Sequence, residues 1–411
     1  MRLEVSVFGK LLHCLGQEKI YGGGSVRKVC VVVGSRANYG SIKSAMEAVK
    51  DHSDLALYVV AAASAVLDRF GSVVDLMAKD GFESAARIHL LIEGETPATM
   101  AKSTGLGLVE LPSVFEQIEP DVVVTVGDRF ETMATAVAAA YMNIPLAHTM
   151  GGEVTGNIDE SVRHAVTKLA NIHFPASEGA AQNIIRMGEE PDSVHVVGCP
   201  RIDIAARLLD DFDNPVTWEE MEAWAGVGPS LDLGKPFLML AQHPVTSEYD
   251  ETESQINETL QAVSAVGLQT LTFWPNADAG QDGTARGIRK FRESDPRSDY
   301  FHVVKNLPVD LYMRLMGQCA CIIGNSSSAI REGAFIGVPA VNIGSRQQGR
   351  ERAKNVIHSS PMRIDIERAV RVQLDHGKYA SDHIYGDGKA GERIANVLAR
   401  AEFRTQKRLS Y

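Results

Sequence analysis

Short runs rich in Val and Ile alternate with stretches of helical periodicity along almost the whole chain, and this alternation constrains the fold more than any other feature. Apolar runs of this length, too short for helices, read as strands buried on both faces, which occur in parallel sheets covered by helices. The first series is expected at residues 29–33, 55–61, 122–126, 146–148, 172–175 and 194–197, with helices at 41–50, 132–141 and 177–187 between them. An acidic stretch with two tryptophans, residues 210–225, precedes a second series at 237–241, 268–274, 301–304, 319–323 and 340–343. The expected fold is therefore α/β: two domains in tandem whose parallel sheets face a central cleft. The boundaries read as 27–205 and 206–396, with YGGGS at 21–25 a flexible joint that sets off an N-terminal extension of residues 1–26. Ligands of such sheets bind beyond the carboxyl ends of the strands.

With 411 residues the chain is long enough for two domains with their own cores. Its net charge of −11 argues against general nucleic-acid binding, while leaving room for a local basic pocket. The five cysteines, Cys14, Cys30, Cys199, Cys319 and Cys321, lack metal-site spacing, so reduced thiols in a cytoplasmic protein and no metal are expected. No apolar run is long enough for a membrane helix, and residues 1–20 lack a signal-peptide core, so no membrane partner is expected.

The segments that follow the strands carry the chemistry. GNSSSAIRE at 324–332 places Gly and small hydroxyls between a strand and a helix expected at 331–336. Free N–H groups at a helix start favour an anion such as a phosphate, and Glu332 is placed to bind ribose hydroxyls; the alternative is an ordinary helix cap by Asn325 or Ser326. GSRANYG at 34–40 is not a dinucleotide fingerprint, but Arg36 within it can reach a phosphate. VGDRFET at 126–132 puts Asp128 and Arg129 directly after a buried strand, on the cleft side. HTMGGEVTGNIDESVRH at 148–164 gathers His148, Glu153, Asp159, Glu160, Arg163 and His164 beside a double Gly, with Asp159 at an expected helix N-cap. That density of ionisable groups suits a site that moves protons. QHPVT at 242–246 offers His243 to a phosphate or as an acid, and GSRQQGRER at 344–352 offers Arg346, Arg350 and Arg352 to a diphosphate.

GDRFET, GGEVTGNIDESVRHAVTKLA, HPVT, NADAG, GNSSSAIRE and GSRQQGRE, in this order, resemble the hydrolysing UDP-N-acetylglucosamine 2-epimerases of the sialic and legionaminic acid pathways. The likeness runs from about Val29 to Val397. It implies the GT-B architecture of two Rossmann-like domains, with residues 397–411 forming a final helix that crosses back to the first domain, and a reaction without metal or NAD. UDP is eliminated across C1 and C2 of the sugar to give a 2-acetamidoglucal, and water then gives N-acetylmannosamine. The resemblance assigns the UDP site to Arg36, Arg129, His243, Asn276, Ser326, Ser327, Glu332 and Arg346. It assigns acid–base work to Asp128 and Asp159, with His243 assisting the leaving group. Many members carry a Glu where this chain has Met150: either Glu153 or His148 takes over, or the substrate or rate differs, or catalysis is lost; at Gly40 some relatives have a phosphate-binding Ser. A homodimer or homotetramer is implied. The alternatives are the same reaction on UDP-N,N'-diacetylbacillosamine, a GT-B glycosyltransferase, or a nucleotide-sugar-binding protein without catalysis.

Overall fold

The computed structural model describes residues 26–94, 96–155, 158–209, 212, 214–224, 226–275, 280–305 and 307–408. Of the expected extension only Val26 is among them, and Asn276 lies outside the described residues.

The Val-rich runs become strands because their alternate side chains find apolar cover on both sides. In β1 (Arg27–Val33), Val29, Val31 and Val33 pack into one core while Cys30 and Val32 pack into another on the opposite face. β2 (Leu55–Ala62), β3 (Ser84–Ile88), β4 (Val122–Val126), β5 (Leu146–Thr149) and β6 (Ile172–Phe174) complete a parallel sheet of order β3-β2-β1-β4-β5-β6. The second sheet is built from β7 (Gly226–Val227), β8 (Phe237–Ala241), β9 (Gln269–Phe273), β10 (Phe301–Val304), β11 (Cys321–Gly324), β12 (Ala340–Ile343) and β13 (Val356–Ser359). Its order is β13-β12-β11-β8-β9-β10-β7, parallel except for β7. Without β7 the two sheets have the same connectivity, and each reverses direction between its first and fourth strands, β1/β4 and β8/β11. At such a switch point the two following loops part to opposite sides and leave a crevice.

The parallel α/β organisation expected from the sequence is present in both halves, with local differences. Residues 194–197 form no strand: they touch β6 through a single bridge at Val194 and hydrogen bonds from His195 N to His173 O and Val197 N to Pro175 O. β3, β13 and the two-residue β7 were not anticipated. β3 reads SAARI and exposes every other residue at a sheet edge, and β13, VIHS, carries two polar residues, so neither shows a continuous apolar run.

The inner faces of both sheets share one contiguous apolar core, from Val29 and Tyr39 to Phe237, Met239 and Ala340. The crossing helix runs Ala390–Arg400, beginning before residue 397, and packs on the helix Arg36–Asp51. Its start is held by Asp203, whose carboxylate accepts from Ala390 N (2.9 Å), Gly391 N (2.7 Å) and Ser44 Oγ (2.8 Å). Gly391 permits the contact: a Cβ there would lie 2.5 Å from Ser44 O. Among the described residues no helix is long and apolar enough to cross a membrane, and no His, Cys, Asp and Glu side chains cluster as a metal site. Cys30, Cys199, Cys319 and Cys321 are buried free thiols.

Candidate functional site

Both switch points open into the same interdomain cleft. The loops after β1 and β4 bring Arg36, Asp128 and Arg129; those after β8 and β11 bring His243 and the serines 326–328. The lining divides into two adjoining cavities that share Ala37, Ser41, Ser327 and Arg346.

The first cavity is lined by Arg36, Arg201, His243, Tyr312, Ser326, Ser327, Ser328 and Arg346, with Phe273, Leu307 and Val309 forming an apolar wall. Its framework is Asn325. The Asn325 Oδ1 accepts from His243 N (2.7 Å) and its Nδ2 donates to His243 O (2.8 Å), locking the two second-domain loops together. The Asn325 carbonyl accepts from Arg346 Nη1 (3.2 Å) and Gln347 Nε2 (3.0 Å). Gly324, at φ +128°, lies so close to β8 that a Cβ would sit 2.2 Å from Ala241 O, so the turn that projects the serines requires Gly. The hydroxyls of Ser326, Ser328 and Tyr312 form a chain, with spacings of 2.9 and 2.6 Å.

The helix expected to hold an anion by its dipole is short. A single 3₁₀ turn, Ser327–Ala329, precedes the five-residue helix Glu332–Ile336, so little helix dipole faces the cavity and its polar lining is chiefly serine hydroxyls and arginines. Replacing Ser326 and Ser327 together by Ala is expected to weaken UDP binding by about 2 kcal/mol, roughly thirtyfold in Kd. Unchanged affinity by titration calorimetry would contradict that role. Glu332, expected to reach a ribose, is 1% exposed and ion-paired with Arg201; its Oε2 has no hydrogen-bond partner among the described residues. Arg36 spans the cleft, donating to Lys305 O at 2.9 Å. Burial, together with the charges of Arg346, Arg36 and Arg129, holds the His243 imidazole well below its ordinary proton affinity, so it is neutral near pH 7.

The second cavity is lined by Asp128, Arg129, Met150, Thr155, Asp159, Arg163, Arg331, Arg346, Gln347 and Arg350. Asp159 lies in the first turn of the helix Ile158–Leu169, inside the helix rather than at its cap, and is half-buried. Asp128 pairs with the Nη2 of Arg163, which is 1% exposed. Burial alone would raise the Asp128 carboxyl, but Arg163, with Arg350 and Arg331 behind it, brings it down to about 2. His164 lies against Glu160 at 3.4 Å. Met150 has φ +62° and is 5% exposed, so an apolar side chain occupies a left-handed backbone position in the cavity wall.

Two residues expected to replace a missing Glu are placed differently. His148 is fully buried beneath the site, its Nε2 2.7 Å from Gly127 O and its Nδ1 3.2 Å from Thr167 Oγ1, and burial lowers its pKa to about 3. Glu153 is 4% exposed, and its Oε2 accepts from Arg331 Nη2 at 2.5 Å and from Arg350 Nη1. Burial opposes its ionisation, but Arg331, Arg350 and Arg163 together hold its carboxyl below the usual range. A carboxylate fixed in this way accepts a proton poorly, and the geometry speaks against the proton-transfer role expected for it. The sequence reading overlooked Arg331 and Arg201, whose partners lie far away in the chain, and Asn325 as the clamp of the two loops. Arg352 is exposed and lines neither cavity.

Seven arginines (36, 129, 163, 201, 331, 346 and 350) line the two cavities. Asp128 and Asp159 line them too, and Glu131, Glu153 and Glu332 pair with these arginines. Seven cations against five carboxylates leave an excess of two positive charges, which matches a nucleoside diphosphate linkage.

A sequence model described as UDP-N-acetylglucosamine 2-epimerase matches residues 47–399. The chain is 32% identical to a Legionella pneumophila protein named UDP-N,N'-diacetylbacillosamine 2-epimerase (hydrolyzing), over 93% of this chain and 98% of that protein. It is 26% identical to a UDP-N-acetylglucosamine 2-epimerase of Neisseria meningitidis, over 92% of this chain and 96% of that protein. In fold it is similar to the crystal structure of UDP-GlcNAc 2-epimerase from Neisseria meningitidis bound to UDP-GlcNAc. The TM-score is 0.75 at 18% identity, covering 90% of this chain and 99% of that one.

Proposed function

The chain belongs to the UDP-N-acetylglucosamine 2-epimerase family, and from that premise we propose that it is a hydrolysing 2-epimerase that converts UDP-N-acetylglucosamine into UDP and N-acetylmannosamine. The observation that carries the reading is the junction of the two cavities. An arginine- and serine-lined chamber suited to a diphosphate opens into one that holds Asp128 and Asp159.

The C2 proton of the sugar is weakly acidic, so the leaving group must depart early and its charge must be stabilised. Ser326, Ser327, Arg36, Arg129 and Arg346 supply that stabilisation, and the excess positive charge of the cleft is greatest in value when the C1–O bond breaks. The electron pair of that bond leaves with UDP. A carboxylate of the pair takes the C2 proton, and C1=C2 forms. His243, neutral in the free protein, takes a proton as the diphosphate arrives and can pass it to the departing phosphate oxygen. Water then adds its hydroxyl to C1 while a proton returns to C2 on the opposite face, which inverts that centre.

A second substrate is favoured by Met150, which presents an apolar surface to the sugar cavity. A 6-deoxy sugar such as that of UDP-N,N'-diacetylbacillosamine, named for the Legionella relative, fits an apolar wall better than a hydroxymethyl group does. Incubation of each UDP-sugar with the protein in heavy water, followed by NMR, tests the proposal. Free UDP and a 2-epimer deuterated at C2 are expected from one of them without added acceptor. UDP release only when an acceptor is present would indicate a glycosyltransferase instead, and a 2-epimer still attached to UDP would indicate a non-hydrolysing epimerase.

A further inference from the structure

Glu153 joins the two halves of the cleft. It follows the Gly151–Gly152 turn, and Gly152, at φ +76°, has no room for a side chain: a Cβ would lie 2.1 Å from Ala180 O. The turn therefore drives Glu153 into the interdomain space. There its Oε2 meets Arg331, in the loop that also carries Ser326 and Ser327, and Arg350, in the loop that also carries Arg346. Its carbonyl accepts from Arg163 Nη1 at 2.6 Å, and the other end of the same guanidinium holds Asp128. One continuous buried chain thus runs from both phosphate-side loops of the second domain, through Glu153 and Arg163, to Asp128 in the first.

We infer that Glu153 is a positioning residue, a pin that sets the diphosphate loops of one domain in register with the acid–base pair of the other. The pin rests on the proposed reaction for its purpose, but its geometry stands without it. Three guanidinium groups converge here, and Glu153 is the carboxylate that neutralises the two from the second domain. Without its charge those two would be buried facing Arg163 with their paired carboxylate gone, which opposes the closed cleft. The remaining Oε1 is buried and has no hydrogen-bond partner among the described residues.

The test compares wild type, Glu153→Gln, Glu153→Asp and the double variant Glu153→Gln/Arg350→Gln, reading UDP release against pH. Glu153→Gln is expected to lose at least about tenfold in turnover, the penalty of an uncompensated buried charge. Glu153→Asp should recover part of the loss. The double variant should be faster than Glu153→Gln by at least about threefold, because it removes one of the unpaired cations. The acid limb of the pH–rate profile should be the same in all four. A double variant no faster than Glu153→Gln, or loss of the acid limb in Glu153→Gln, overturns the pin and restores Glu153 as a proton carrier. If wild type releases no UDP from either sugar, the proposed function fails. The pin is then read from thermal unfolding, where the double variant should melt above Glu153→Gln, and a midpoint at or below that of the single variant overturns it.

Discussion

Asp159→Asn is expected to slow UDP release at least about a hundredfold, the lower end of what a positioned general acid or base contributes, with UDP affinity changed by less than about threefold. The expectation rests on the division of the cleft. Asp159 lines the second cavity, whereas the diphosphate groups Ser326, Ser327, Arg36 and His243 belong to the first or to its border. The substitution keeps the shape of the side chain but removes its charge and its capacity to hold a proton. Asp128→Asn should behave differently although its cavity is the same. The Asp128 carboxyl, brought to about 2 chiefly by Arg163 against its own burial, is a feeble base, which favours Asp159 for the C2 proton and Asp128 for orienting charge. Its amide would leave Arg163, 1% exposed, without a counter-charge. Asp128→Asn is therefore expected to lower stability by on the order of 2 kcal/mol as well as turnover, a larger loss of stability than at the half-buried Asp159. Rates from coupled UDP detection, affinities from calorimetry and unfolding midpoints separate the two. Near-normal deuteration at C2 in Asp159→Asn would remove it from the chemistry.

Much of the architecture was legible because parallel strands buried on both faces leave an unmistakable mark: runs such as VVVTV in β4 and FLMLA in β8 have no exposed residue. The same reasoning fails at edges. β3 and β13 lie at the outer ends of their sheets and carry polar residues, so nothing in their composition distinguishes them from loops. In the cleft, residues directly following strands were legible, because a charge placed there has only the crevice to occupy; Asp128, Arg129, His243 and Ser326 are of this kind. What local sequence cannot carry is the pairing across the cleft. Arg331 meets Glu153 across 178 positions of chain, and Arg201 meets Glu332 across 131. Glu332 read as a ribose ligand and Glu153 as a base because an unpaired acid is the simplest reading of an isolated Glu. Their partners are visible only once the domains face each other.

The folded protein should lose stability steeply as the pH falls from about 6.5 to 4.5, the range set by the unperturbed imidazole. Three of the buried histidines have a lowered proton affinity. His148, between Gly127 O and Thr167 and near His173, Arg163 and Asp128, is lowered to about 3 by burial. His243 is held well below 6.5 by burial and by Arg346, Arg36 and Arg129. His173 is lowered by burial, with Lys407 and Lys168 outweighing part of the help from Glu189. The sign follows from proton counting. Below about 6.5 the unfolded chain binds a proton at each imidazole and the folded chain does not, so acid favours unfolding, by about 1.4 kcal/mol per pH unit for each fully neutral site. His148, lowered to about 3, stays neutral through this window, and the lowered His243 and His173 add to the slope in the same direction, against a total stability of roughly 5–15 kcal/mol for a typical domain. Carboxylates do not account for this window: Asp128 and Glu189, both lowered to about 2, withdraw their stabilisation only below about pH 4.5. Unfolding midpoints measured from pH 7.5 to 4.5 should therefore drop continuously, and a flat profile from 7 to 5 would mean that these imidazoles take protons without unfolding the chain. UDP provides the internal control. Its diphosphate offsets the three guanidinium groups around His243, so the bound protein accepts a proton there, and the midpoint should fall less with acid at saturating UDP than without it. The same proton should appear in calorimetry near pH 6.5 as a binding enthalpy that changes with the ionisation enthalpy of the buffer.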